Sequence, residues 1–229
     1  MTRIGIIGAM DEEIHLLIKK LHKNKTKRIG IFNFFICDIE DMEIIIAKSG
    51  IGKVNSALVT QLMISNFSPD YMINTGIAGG ISKDVNVLDI IIASETMQYD
   101  VDVRNFGYKL GEIPQMEKYI FDTDKKLLEY AKQSVNGSDE FKVGRIISGD
   151  KFISEKSTKL FLEREFSALC ADMESGSIGQ VCYINKVPYI AIRCISDNAD
   201  ESSSINYEEF KIEAAKKSAD LIMKMINKI

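Results

Sequence analysis

The sequence predicts one α/β domain in which helices flank a central mixed β-sheet. Three observations predict it: short apolar strands alternate with amphipathic helices along the chain, most strands are apolar almost throughout, as strands covered on both faces are, and no linker, repeat or low-complexity tract interrupts the 229 residues. That length suits one large domain or two small ones, and it can bury roughly three quarters of the unfolded surface.

Residues 3–8 read as a strand that turns at Gly8-Ala9-Met10 into a helix, with Ile14, Leu17, Ile18 and Leu21 on one helical face. Asp11, Glu12 and Glu13 fill the first turn of that helix, where its dipole favours carboxylates. Residues 31–37 and 43–48 read as a hairpin around Glu40-Asp41. Ser49-Gly50-Ile51-Gly52 then leads into a second helix that places Val54, Ala57, Leu58, Gln61 and Leu62 on one face and ends before Pro69. Residues 71–75 form a strand running into the cluster Gly76-Ile77-Ala78-Gly79-Gly80, and residues 88–94 form another. Residues 95–114 read as a long loop carrying Tyr99, Phe106 and Tyr108.

Helices over 123–134, 156–165 and 174–185 and strands over 143–148, 168–171 and 189–195 complete the alternation. A last helix from about Tyr207 to Lys228 carries Phe210, Ala214, Leu221, Met225 and Ile229 on one face. Residues 136–140 and 201–204 read as solvated loops.

Composition removes several classes of function. A formal net charge of −4, with lysines spread along the chain, provides no basic footprint for nucleic acid. The N-terminal apolar run, Ile4 to Met10, is broken by three acids where a signal peptide needs a cleavage site, and no run approaches the ~18 apolar residues that span a bilayer. A cytoplasmic location without membrane contact is the expectation. Cys37, Cys170, Cys182 and Cys194 lack CxxC spacing and read as reduced core thiols. The only histidines, His15 and His22, read as surface residues of the first helix. There is therefore neither a Ser-His-Asp machine nor a metal-ligand pattern, and no metal is expected. Gly5-Ile6-Ile7-Gly8 lacks the third glycine of a dinucleotide fingerprint, and Ser49–Lys53 lacks the spacing of a P-loop.

Ligands of open α/β sheets bind at strand ends. Glu13, Asp172, Glu174 and Asp197 all follow predicted strands, with Arg193 just before the last of them. Such carboxylates could converge for acid/base chemistry on a bond that needs a proton at one end and water at the other. Each also has an ordinary structural reading: Glu13 as a helix-dipole partner, Glu174 as a helix N-terminal acid, Asp197 as a cap or turn residue.

Six ordered segments bear on the choice: Ile4-Gly-Ile-Ile-Gly-Ala-Met-Asp-Glu-Glu13, Lys48-Ser-Gly-Ile-Gly-Lys-Val54, Ile73-Asn-Thr-Gly-Ile-Ala-Gly-Gly80, Ser148-Gly-Asp-Lys-Phe-Ile153, Asp172-Met-Glu174 and Arg193-Cys-Ile-Ser-Asp197. Together the chain resembles the 5′-methylthioadenosine/S-adenosylhomocysteine nucleosidases nearly end to end. The resemblance implies a nucleoside phosphorylase-like fold, a homodimer, no cofactor, a place in methionine salvage, and hydrolysis of the N-glycosidic bond of adenine thionucleosides.

By position, Asp197 looks like the acid that protonates adenine N7, Glu13 like the base that activates water, Glu174 like the ligand of the ribose hydroxyls, and Arg193 like the partner that holds Glu13 and the water. Phe152 and Ile153 resemble the adenine pocket, Ser196 a further substrate-binding residue, and Met173 the residue packed on the ribose. Met10, Ile51, Val103, Phe106, Tyr108 and Tyr207 resemble the lining of the 5′-alkylthio site, with Phe106 and Tyr108 supplied by the other subunit. Ile77 departs from the family pattern, which places a serine there; losing one hydroxyl hydrogen bond, about 0.5–1.5 kcal/mol, implies slower turnover.

Three other functions remain open on the sequence. A nucleosidase for another 6-aminopurine nucleoside, aminofutalosine-like or 5′-deoxyadenosine, would use the same acid and base. A purine nucleoside phosphorylase would need to hold phosphate beside the acids of the first helix. A non-enzymatic binding protein on the same fold would not need the acid/base set.

Overall fold

The computed structural model describes residues 1–135, 137, 141–200 and 203–229. The chain runs β1 (Thr2–Gly8), α1 (Asp11–Lys20), β2 (Lys25–Ile29), β3 (Phe32–Ile39), β4 (Met42–Lys48), α2 (Lys53–Phe67), β5 (Tyr71–Gly80) and β6 (Ile90–Gln98). A short 3-10 turn at Arg104–Phe106 follows, then β7 (Ile120–Asp122), α3 (Lys125–Ser134), β8 (Phe141–Ser148), α4 (Lys156–Phe166), β9 (Cys170–Asp172), α5 (Ser175–Asn185), β10 (Tyr189–Asp197) and α6 (Ser203–Ile226).

All ten strands join one mixed sheet in the order β10-β6-β8-β9-β5-β1-β4-β3-β2, with β7 added beside β6. A further pairing of β10 with β5 closes β5, β10, β6, β8 and β9 into a ring, from which β1, β4, β3 and β2 extend as an open flank. The strand alternation is legible in β1. Ile4 and Ile6 enter the core under α1, α3 and α6, with Leu17, Leu127, Ile222 and Met225. Ile7 faces the opposite way, toward the core of α2 and α5, with Val59, Met63, Ile178 and Cys182.

Most predicted elements are present, with several corrections. The lysine-rich segment Lys25–Ile29 is a strand, β2, whose residues are mostly exposed; it pairs only with β3, and edge strands of that kind carry charge rather than an apolar signature. The glycine cluster after Thr75 is not a loop but the second half of β5, paired with β10 and β9. β6 continues through Glu95 to Gln98 because its polar residues are satisfied from neighbouring elements: Arg145 Nε donates to Glu95 at 2.7 Å, and Gln98 Nε2 to Gln180 at 2.6 Å. β7, only three residues long, was not anticipated.

Helix α2 exists where expected but turns its other side inward. Ser56, Val59, Thr60, Met63 and Phe67 are buried, with Ser56 Oγ 2.7 Å from Ser177 Oγ of α5. Val54 and Leu58, expected to be packed, are 78% and 48% exposed. Apolar residues occur all round this helix, so periodicity alone could not select the face; close contact between helices favoured the side with small hydroxyl residues. Helix α6 begins at Ser203, earlier than expected. Of the two predicted solvated loops, residues 136, 138–140, 201 and 202 lie outside the described residues.

All four cysteines are buried and none forms a disulfide, and both histidines are exposed. Among the described residues no group of three or more His, Cys, Asp or Glu could hold a metal ion, and no helix is long and apolar enough to cross a membrane.

Candidate active site

The ends of β1, β9 and β10 meet around the glycine-rich half of β5, and they surround a cavity of about 440 Å³. The cavity is built in layers. On one side the turn after β1 starts α1, and Glu13 on its first turn points back to the sheet. Its Oε2 accepts the N–H groups of Ala9 at 2.6 Å and Met10 at 3.0 Å, while Oε1 accepts the N–H of Ile77 at 3.1 Å. Gly76 makes that approach possible, since a Cβ there would lie 2.6 Å from Glu13 Oε1. Glu13 is buried; burial pushes its pKa up, against the pull of the Arg193 charge and the three N–H donors.

Asp197 closes β10 at a bulge that sets it opposite Gly79 of β5. It is 2% exposed and accepts hydrogen bonds from Ser196 Oγ at 2.8 Å and the Ala199 N–H at 2.9 Å, with Ser203 also bonded to it. Burial nonetheless pushes its pKa up, against these donors.

Glu174 stands between β9 and α5. Its Oε1 accepts the Gly52 N–H at 3.0 Å, and Gly52, at φ +100°, occupies a backbone region that suits glycine. The loop that presents this N–H is fixed by charge: Asp150 accepts the Lys53 N–H at 2.8 Å, and Lys53 Nζ lies 2.5 Å from Asp100. Burial, and next the Asp172 charge, push the Glu174 carboxyl up to about 8.

Arg193, buried on β10, is paired with Asp172, its Nη2 lying 2.6 Å from Asp172 Oδ2 and 2.5 Å from Asn74 Oδ1, but 4.0 Å from Glu174 Oε2. Burial works against this cation, but Asp172, Glu174 and Glu13 more than offset it and hold its pKa above the ordinary value.

Eleven of the fifteen sequence-predicted site residues line the cavity: Met10, Glu13, Ile51, Ile77, Phe152, Ile153, Met173, Glu174, Ser196, Asp197 and Tyr207. Phe152 and Tyr207 meet edge to face at 5.8 Å between centroids, and Tyr207 Oη lies 3.3 Å from Met10 Sδ. The side chain of Ile77 packs with Cys194, Ala214 and Ala215, while its N–H serves Glu13.

Four predicted residues are not in the lining. Arg193 sits within the sheet and is held by Asp172 and Asn74 rather than hydrogen-bonded to Glu13. Val103, Phe106 and Tyr108 lie on the segment around the 3-10 turn, where Phe106 is 82% exposed. Sequence reasoning passed over Lys151, Ser204 and Glu208 of the lining, and it gave Asp172 no role beyond a strand-end acid. The signal for Asp172 was present: an acid two residues before Glu174 at a strand end is well placed to accept the N–H groups that open the next helix.

Residues 3–227 match the model of the phosphorylase superfamily. The 5′-methylthioadenosine/S-adenosylhomocysteine nucleosidase of Halalkalibacterium halodurans is 41% identical over 231 residues, covering the whole of both chains. The chain belongs to the 5′-methylthioadenosine/S-adenosylhomocysteine nucleosidase family. A crystal structure of a mutant nucleosidase from Helicobacter pylori with 5′-methylthioadenosine in its active site is 35% identical, with a TM-score of 0.96 over 100% of each chain. The native futalosine hydrolase of Helicobacter pylori, also 35% identical, superposes with a TM-score of 0.95 over 100% of this chain and 98% of its own. The nucleosidase fold is thus shared across its full length, mixed sheet and flanking helices included.

Proposed function

We propose that the chain hydrolyses the N-glycosidic bond of 5′-methylthioadenosine and S-adenosylhomocysteine, releasing adenine and the thioribose product. The observation that carries this reading is the set of three buried carboxyl groups on one cavity, Glu13, Glu174 and Asp197, each with its proton affinity raised by burial. A buried carboxyl that keeps its proton near neutrality can act as an acid, and one poised nearby can act as a base.

In this reaction the bond from C1′ to adenine N9 breaks, and its electron pair leaves with the base. Asp197 transfers its proton to N7, so adenine departs neutral. The ribose becomes oxocarbenium-like; water adds its oxygen to C1′ while Glu13 takes the water's proton. Glu174 in its ionised form accepts hydrogen bonds from the ribose 2′ and 3′ hydroxyls and faces the developing positive charge, which favours the transition state over the substrate. Phe152 and Ile153 hold the adenine, Met173 packs on the ribose, and Met10, Ile51 and Tyr207 contact the 5′ substituent.

Water rather than phosphate as nucleophile is supported by the make-up of the lining, in which Lys151 is, among the described residues, the one cationic side chain beside acids suited to proton transfer. A phosphate nucleophile would need a set of cations to hold it.

The same reading includes a homodimer in which Phe106 and Tyr108 complete the partner's site. Ile51 just before α2, and Val54 and Leu58 in its N-terminal half, are exposed apolar residues, and the ion pair of Lys53 with Asp100 ties that end to the segment bearing Phe106. A cytoplasmic location, supported by four cysteines that form no disulfide, and a role in methionine salvage complete it.

Adenine release from both thionucleosides, with and without phosphate, tests the proposal. Phosphate-independent release that falls about 10²–10⁴-fold in Asp197→Asn is the expected result, and release that requires phosphate rejects it. The likeness to futalosine hydrolase favours one second reading, an aminofutalosine-type nucleoside as substrate; the same assay with that nucleoside separates the two.

A further inference from the structure

Asp172 lines the cavity but plays no part in the chemistry described above. Its surroundings are more elaborate than those of the carboxylates that do. Its side chain is 1% exposed, and its Oδ2 lies 2.6 Å from Arg193 Nη2. Its Oδ1 accepts the Ser148 hydroxyl and the N–H groups of Glu174 at 3.3 Å and Ser175 at 3.2 Å. One carboxylate therefore grips both the guanidinium and the peptide that carries Glu174, at the N-terminus of α5. Arg193 stands closer to Asp172 than to Glu174, by 2.6 Å against 4.0 Å.

We propose that Asp172 is the positioning residue of this site: it takes up the charge of Arg193, fixes the backbone of Glu174, and so governs whether the Glu174 carboxyl carries a proton. A buried cluster of Glu13, Asp172 and Glu174 around one guanidinium cannot hold three bare negative charges. The shortest pair fixes which carboxylate the guanidinium grips, Asp172 at 2.6 Å against Glu174 at 4.0 Å, and leaves Glu174 as the neighbour whose proton affinity is raised.

The groups facing Glu174 from the packed elements are Asp172 on β9, Arg193 on β10, Glu13 on α1 and the Gly52 N–H at the start of α2. Of these, Asp172 and Glu13 raise its proton affinity, whereas Arg193 and Gly52 lower it. Removing the charge of Asp172 both deletes a repulsion and frees Arg193 to turn to Glu174, and the two effects have the same sign.

The test is Asp172→Asn, read in two ways. Carbon-13 NMR of the glutamate carboxyls in the ligand-free protein, with Glu174 assigned by comparison with Glu174→Gln, follows its titration directly. The wild-type midpoint is expected near 8, and in D172N it falls by about one pH unit or more. An unmoved midpoint in folded D172N overturns the proposal, whatever the substrate. In the kinetic arm, which rests on the nucleosidase reading, kcat falls about tenfold or more while KM moves much less.

A wild-type protein that releases no adenine rejects the nucleosidase reading and leaves the titration arm to decide this one. Should D172N fail to fold, Asp172→Glu keeps the charge but displaces it. The Glu174 midpoint must then stay near the wild-type value while the melting temperature falls, and a midpoint that drops as if the charge were gone overturns the proposal.

Discussion

Burial without full neutralisation is the common condition of Glu13, Glu174 and Asp197, and it has a thermodynamic consequence. Each has a pKa above its ordinary carboxylate value in the folded chain. A raised carboxyl contributes stability that is complete below its unfolded pKa and is lost as pH rises through the folded value. For Glu174 that window runs from about 4.5 to about 8, and across it the ligand-free protein loses on the order of a few kcal/mol. The expected outcome is a melting temperature that declines from pH 5 to pH 8, and a Glu174→Gln variant that declines less and exceeds the wild type at pH 8. Thermal scans across that range check it; a wild type that gains stability toward pH 8 would contradict it. The places of Asp197 and Glu13 on the cavity were legible in the sequence because both follow strand ends within ordered motifs. The ion pair of Arg193 with Asp172 was not, because partner choice inside a cluster depends on ångström-scale distances that no spacing encodes.

At the scale of elements, helix α2 carries the clearest divergence between pattern and structure. Its sequence has apolar residues on every side, so the choice of buried face fell to what α5 could accept, the Ser56 to Ser177 contact. Val54 and Leu58 were left outward, on the helix whose N-terminus is tied by Lys53 to Asp100 near Phe106. If a second copy covers that face, Leu58→Asp disrupts the dimer without touching the core. The variant is expected to run as a folded monomer by light scattering and to lose most adenine release, because the partner's Phe106 and Tyr108 are gone. A dimer of unchanged mass in Leu58→Asp would remove α2 from the interface. The edge strand β2 was missed for the opposite reason: lysines on an unpaired edge protect it from pairing with other chains and erase the apolar signal by which strands are read.

Taken whole, the molecule is a sheet with a helical cover on each side, and the alternation of strands and helices was enough to place it in that class. The closure of five strands into a ring was beyond reach, because the β10 to β5 pairing joins strands more than a hundred residues apart. Two of the four cysteines illustrate the covering: Cys37 lies in one core and Cys182 in the other, and all four are buried. Burial pushes the Cys37 thiol up to about 11, and the Cys170 and Cys182 thiols are raised as well. Thiolates are the reactive form, so the native protein is expected to leave a disulfide reagent such as DTNB unconsumed at pH 8, with four thiols reacting together on unfolding in urea. Stepwise reaction would show that the two layers open separately.

The seat of Asp197 opposite Gly79 also bears on how such a protein can diverge. The acid and the peptide N–H that anchors Glu13 belong to adjacent, hydrogen-bonded strands, so their separation is set by the repeat of the polypeptide itself. Mutation can redraw the rim, where Met10 and Tyr207 stand, while that inner gauge stays the same. Relatives could therefore exchange one nucleoside for another over generations without having to reinvent how the bond is cut.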